Sequence, residues 1–203
     1  MMRAPFFPRR IRDIRRDQSG ATLTEFGFVA PVLILMVIGI FDMAHTQYTS
    51  ALVNGAMQKA GRDLTLESAG TNVNTIDQTV IDQVRNVAPD SATITLDKLS
   101  HFEFEDIGEA EEFDDENLNT VCDNGEVFVD SNNNGQWDAD RGEEGIGGAR
   151  DAVLYTATVT YDRLFPMYGL AGLPEQVTIK ASTVLRNQPY DVQDTYKGTG
   201  NCL

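Results

Sequence analysis

Ser19-Gly20-Ala21-Thr22-Leu23-Thr24-Glu25-Phe26, running straight into FGFVAPVLILMVIGIFDMA over residues 26–44, is the stretch on which the reading of this chain turns. Counted from Ala21 it is long enough to cross a bilayer as a helix, which takes ~20 apolar residues. Two carboxylates interrupt it: Glu25 just inside its start and Asp42 near its far end. An ionisable group inside a span is expensive in hydrocarbon and is by default a functional signal. Six arginines (Arg3, Arg9, Arg10, Arg12, Arg15 and Arg16) come before the small pair Gly20-Ala21. A secretory signal peptide would carry its apolar core ahead of a small-x-small cleavage site. Here the core follows the candidate junction, so the segment reads as retained. An uncleaved signal anchor would give the same topology but would leave Gly20 and Glu25 unexplained. Pro31 removes a helix hydrogen bond and predicts a kink, while Gly27 and Gly39 would let another helix approach closely.

Charge divides the chain along the same line. Six arginines against Asp13 and Asp17 leave residues 1–20 at +4, so a total of −15 leaves the rest near −19. A basic head, an apolar span and an acidic body fit the positive-inside rule, with the head in the cytoplasm and the body across the membrane. So acidic a body would repel phosphates, which argues against nucleic acid as a partner. Cys122 and Cys202 belong to no C-x-x-C pair or Cys/His cluster, so zinc is not indicated. An oxidising compartment permits a Cys122–Cys202 disulfide without requiring it, and two free thiols are the alternative.

The Arg-rich leader, Gly20, Ala21, Glu25-Phe26 and Val29-Ala30-Pro31-Val32-Leu33 together resemble the TadE-like family, pseudopilins of the tight-adherence (Tad/Flp) branch of type IV pili. The resemblance covers roughly residues 17–45. It implies cleavage after Gly20 by a prepilin peptidase, with Glu25 then fifth in the mature chain. It also implies as partners the other Tad/Flp pilins and the inner-membrane assembly platform, with adhesion as the larger purpose. The body is long for a major Flp pilin, which favours a minor subunit. Glu25 of one subunit would neutralise the new α-amino group of Ala21 in a neighbour, since two unpaired charges are costly in low dielectric. Glu25 snorkelling to the interface or staying protonated is the alternative.

Beyond Ala44 the spacing predicts one long helix from about Thr24 to Thr65, its second half lying against the body. Gly70-Thr71-Asn72 reads as a break, and Asn74–Val87 as a second helix with Ile76, Val80, Ile81 and Val84 on one face. Ser91–Leu99, Val153–Tyr161 and Gln176–Leu185 read as strands, with His101–Glu105 a further candidate. Leu164–Leu170 reads as a cover over one end of the sheet, with a partner-binding loop the alternative, and the tail from Asn187 as irregular. The expected fold class is α+β: a long N-terminal transmembrane helix continuing into a pilin-like globular domain with an antiparallel sheet of about three to four strands and an acidic loop insert. The expected organisation is a cleaved basic leader (1–20), a span (21–45) and an extracytoplasmic domain (46–203) carrying the insert at about 103–150. The body would lie in the periplasm of a single-pass inner-membrane protein, with incorporation into an extracellular pilus a further expectation.

Within the insert, residues 103–116 hold nine carboxylates and no base, and read as a solvated loop. Asp130-x-Asn132-x-Asn134-Gly135-Gln136-x-Asp138 then sets oxygen side chains at alternate positions before a glycine, as a calcium loop begins. Arg141 stands at the twelfth place, where a bidentate glutamate is expected, so Asp140, Glu143 or Glu144 is left to close the site. The expected cofactor is a structural calcium held by Asp130, Asn132, Asn134, Gln136, Asp138, Asp140 and Glu143; an Asn/Gly-rich turn without metal is the alternative. No catalytic residues are indicated. His45 and His101 have no acid–nucleophile arrangement nearby, and Gly142–Gly148 has neither the strand nor the lysine of a phosphate loop.

Overall fold

The computed structural model describes residues 19–65, 69–165, 168–188 and 198–203. The basic leader, residues 1–18, lies outside them. Helix α1 (Ser19–Leu64) is a single helix of 46 residues that runs through Pro31 without interruption. Its halves differ in kind. Up to Met43 its large apolar side chains face outward, whereas Val53, Ala56, Met57, Ala60 and Leu64 form one buried stripe at helical spacing. Arg62 sits in the last turn, where a cation complements the helix dipole.

Helix α2 (Ala69–Arg85) starts earlier than the sequence suggests. Gly70-Thr71-Asn72 is helical, so the expected break does not fall there; α1 ends at Leu64. A glycine lowers helix propensity by only ~1 kcal/mol, which burial of Val80 and Val84, with Val73 and Ile76 packed alongside, offsets.

Strands β1 (Thr93–His101), β3 (Glu143–Glu144), β4 (Ala152–Asp162) and β5 (Gln176–Arg186) form an antiparallel sheet in the order β3-β1-β4-β5. β4 buries Tyr155, Ala157, Val159 and Tyr161 at alternate positions, and β5 buries Val177, Ile179, Ala181 and Leu185. Both rows meet the stripes of α1 and α2 in one core. At Gly61 a Cβ would stand 3.0 Å from Thr183, so the helix passes close over β5. The Tyr155 hydroxyl donates to Asp77 of α2 (2.6 Å), and Lys98 of β1 pairs with the same carboxylate (2.6 Å). Burial and the Asp77 contact hold the Tyr155 hydroxyl far above its ordinary range, so it stays a donor.

A second, smaller sheet pairs β2 (Val127–Asp130) with β6 (Gly198–Asn201). The expected strand at His101–Glu105 is not formed: His101 ends β1, and Phe104–Asp106 is a 3-10 turn capped by the Glu103 and Asp106 carboxylates. The tail is not irregular throughout, since Gly198–Asn201 pairs along its whole length. A Cβ on Gly200 would meet the Phe128 ring at 2.4 Å, so only glycine lets the buried Phe128 lie flat against that strand.

The sheet has two distinct ends. Tyr161 packs edge-on against His45 of α1 (5.8 Å), while Thr183 lies at Gly61. The His101 end of β1, where the acidic insert emerges, is therefore farther along α1 from its apolar half. Met57→Ala should lower the stability of the full chain in detergent micelles by about 2–5 kcal/mol through transfer and cavity terms. Tyr48→Ala, at an exposed position, should stay within about 0.5 kcal/mol. Chemical unfolding reads both.

Candidate functional site: the N-terminal helix and two acidic loops

The apolar half of α1 is almost wholly uncovered by the rest of the chain. Leu23, Phe26, Phe28, Val29, Val32, Leu33, Ile34, Met36, Ile40, Phe41 and Met43 are all exposed, on every side of the helix. A helix apolar all round suits lipid or other helices. The helix is long and apolar enough to act as a single-pass membrane anchor. Gly20 and Ala21 lie in its first turn, where the Thr24 hydroxyl donates to the Gly20 carbonyl (2.7 Å). Glu25 and Phe26 are exposed one turn further on. Asp42, at the other end of the run, is buried and pairs with Arg163 (2.5 Å), a partner 121 residues away.

In the acidic insert, Asp130 accepts from the backbone N–H groups of Asn134 (3.1 Å) and Gly135 (2.9 Å). The Asn132 side-chain oxygen accepts from Asn134 N–H (3.2 Å), and the Asn134 side-chain oxygen from Gln136 N–H (2.7 Å). Both amide nitrogens donate to Asp138 (2.8 and 2.6 Å). Asn133 and Gly135 take the left-handed conformation, with φ of 57° and 77°. The buried carboxylate beside this loop comes from an earlier segment. Glu111, 1% exposed, accepts from Ser131 N–H (2.7 Å) and Asp138 N–H (3.1 Å). Arg141 turns away and donates to the Ala110 carbonyl (2.7 Å), holding Glu111 in place. Burial, and then the charges of Asp130 and Asp138, raise the Glu111 carboxyl above its usual range against the lowering effect of the two N–H donors. Asp140 pairs with buried His101 (2.6 Å), and Glu143 is exposed in β3, so these two expected ligands point to other work.

The same construction occurs a second time, 15 residues earlier in the chain. Asp115 accepts from Asn119 N–H (3.1 Å) and Thr120 N–H (2.7 Å). Asn117 and Asn119 side-chain oxygens accept from Asn119 N–H (3.0 Å) and Val121 N–H (2.7 Å), and both amides donate to Asp123 (2.6 Å each). Those two amide bonds hold the Asp123 carboxyl below its ordinary range. Leu118 and Thr120 are left-handed, with φ of 58° and 65°. Glu126 accepts from Glu116 N–H (3.1 Å) and Asp123 N–H (2.8 Å), as Glu111 does for its loop. Here the closing glutamate stands at the loop's own twelfth place. The spacing Asp115-x-Asn117-x-Asn119-x-x-x-Asp123-x-x-Glu126 was visible, but Thr120 in place of glycine, inside a run of carboxylates, hid it. Cys122 of this loop is disulfide-bonded to Cys202, with Cα atoms 5.6 Å apart.

Each loop thus offers Asp, Asn, Asn, Asp and a buried Glu, an all-oxygen set of the kind a hard cation takes. Among the described residues no three His, Cys, Asp or Glu side chains meet at one point. In this arrangement the asparagine amides, as donors, hold the second aspartate of each loop.

Residues 20–62 match the family model described as TadE-like protein. Over these residues the long helix is similar to that family. The match covers nearly the whole of α1, including the part that packs on the sheet, and stops short of the acidic loops. Neither the curated proteins nor the solved structures include a match to this chain. That similarity therefore covers the helix, and the loops stand on their own geometry. At the left-handed sixth places, Gly135→Ala should destabilise the insert by roughly 1 kcal/mol, and Thr120→Gly should stabilise it or leave it unchanged. Rates of limited proteolysis within residues 103–150 measure both.

Proposed function

We propose that this chain is a minor subunit of a Tad/Flp pilus, acting by assembly and not by catalysis. A basic cytoplasmic leader is cut after Gly20 by a prepilin peptidase. Residues 21–45 hold the product in the inner membrane with its body in the periplasm, and other Tad/Flp pilins on the assembly platform take it up for a pilus that serves adhesion. One observation carries this reading: a helix that is TadE-like over residues 20–62, apolar on every side in its first half and built into the core in its second. The bond to be cut lies in the helix's first turn, so the peptidase must open the Thr24–Gly20 contact before it can act. The new α-amino group of Ala21 then lies one turn from Glu25, at a height where a neighbour's carboxylate neutralises it. Intact mass and N-terminal sequencing of protein from native membranes should give a chain starting at Ala21, and Gly20→Leu should retain the leader. A chain starting at Met1 or Met2 points instead to an uncleaved single-pass envelope protein with a binding body.

The loops support a second element of this reading. We infer that calcium stabilises the body, held by Asp115, Asn117, Asn119, Asp123 and Glu126 in one loop and by Asp130, Asn132, Asn134, Asp138 and Glu111 in the other. A divalent cation would offset the carboxylates gathered in each loop, and extracellular modules of this type bind with dissociation constants of ~10⁻⁴–10⁻³ M. Titrating calcium into the full chain in micelles should raise its melting temperature. Glu111→Ala should reduce the rise and Glu111→Ala with Glu126→Ala should abolish it. No shift at millimolar calcium would sink the idea.

A further inference from the structure

The described residues of the segment that follows β4, 163–165 and 168–175, lie at the end of the sheet nearest the apolar half of α1. Arg163 pairs with Asp42 of the helix (2.5 Å), both side chains being largely buried. It also donates from its guanidinium to the Pro174 carbonyl (2.9 Å) and from its backbone to the Glu175 carbonyl (3.0 Å). His45 bonds the Val87 carbonyl (3.3 Å) and meets Tyr161 edge-on, fixing the same end of the body to the helix one turn on. The segment is thus pinned at the level of Asp42, while Ile40, Phe41 and Met43 still present apolar side chains outward. Leu164 and Leu173 are 46% and 39% exposed beside this anchor. Tyr168 directs its hydroxyl to Glu175 (3.1 Å), the amphipathic aromatic type enriched where hydrocarbon meets water.

We propose that this segment is a foot seated in the interfacial layer of the bilayer, its ligand a lipid surface. The inference rests on α1 being a membrane anchor. Leu164 directly follows Arg163 and Leu173 directly precedes its acceptor Pro174, so both stand near the level of Asp42, and Arg163 is itself paired with that carboxylate. Asp162 and Glu175 flank the foot with negative charge, so the surface it suits is zwitterionic and not anionic. Seated this way, the foot fixes the tilt and height of the body above the membrane, and the Asp42–Arg163 pair acts as its positioning contact.

The test uses the full chain in phosphatidylcholine–phosphatidylethanolamine vesicles with an environment-sensitive fluorophore at Leu164→Cys, Leu173→Cys, Ile34→Cys or Leu118→Cys. The expected result is quenching of the Leu164 and Leu173 probes by lipid-borne quenchers and protection from aqueous iodide by at least threefold relative to Leu118. The Ile34 probe reports insertion of the helix. If Ile34 is lipid-quenched while Leu164 and Leu173 are as open to iodide as Leu118, the foot is overturned and the anchor stands. An Ile34 probe open to iodide removes both. Protection of Leu164 that vanishes when vesicles carry single chains assigns the surface to a second copy and overturns the proposal. Asp42→Asn should release the foot and return the Leu164 probe to iodide.

Discussion

One helix has to satisfy two environments, and the rest of the architecture follows from how it does so. Up to Met43, α1 is apolar around its circumference; from Val53 onward, only one stripe is apolar and the sheet covers it. A single helix shared between the two joins the body directly to the apolar half. The change of environment falls near Asp42 and His45, and there the structure places an ion pair, a hydrogen bond to a carbonyl and an edge-on aromatic contact. Burying a carboxylate is tolerable only when its charge is matched, so Asp42 requires an arginine from the body at that height. Gly61 sets the close crossing at the other end. Between these two contacts the sheet has little freedom to slide or rotate on the helix.

Much of this was legible in the sequence. The apolar run and the spacing beyond Ala44 predict one long helix ending near Thr65, and it ends at Leu64, while the buried stripe Val53, Ala56, Met57, Ala60 and Leu64 is shown by the structure. β-branched alternation gives β4 and β5 to within a residue at either end, because one face of each strand is buried and a slip would expose it. What was not legible depends on partners distant in sequence. Glu111 reads as one carboxylate among nine until Arg141 is seen to hold its segment beside the Asp130 loop. Gly198–Asn201 carries no apolar alternation and becomes a strand because β2 needs a partner and Phe128 needs a flat surface. The twin loop was missed for a local reason: glycine is the usual residue at a left-handed sixth place, and Thr120 occupies it.

The duplication in the insert is geometric before it is chemical. Two loops, offset by a fixed number of residues, repeat the same acceptors, the same left-handed places and the same buried glutamate, although one glutamate follows its loop and the other precedes it. This equivalence does not depend on what either loop binds. It shows that the arrangement is a stable way of folding an acidic chain on itself, with backbone N–H groups taking up carboxylates that would otherwise repel one another.

The small β2–β6 sheet links insert and tail through a core of its own. Phe128 lies against Gly200, Phe113 meets Trp137 edge-on, and the Cys122–Cys202 bond closes the unit. Of the insert, only Ile146 reaches into the main core among the described residues. The insert thus has a small core of its own, joined to the large sheet by the pairing of β3 with β1 and by the His101–Asp140 contact. Opening the insert would have to break those ties, so its local stability is linked to that of the large sheet. In a subunit held by its helix, as proposed above, a disturbance in the insert would pass to the helix through the large sheet, by way of β3, His101 and Ile146.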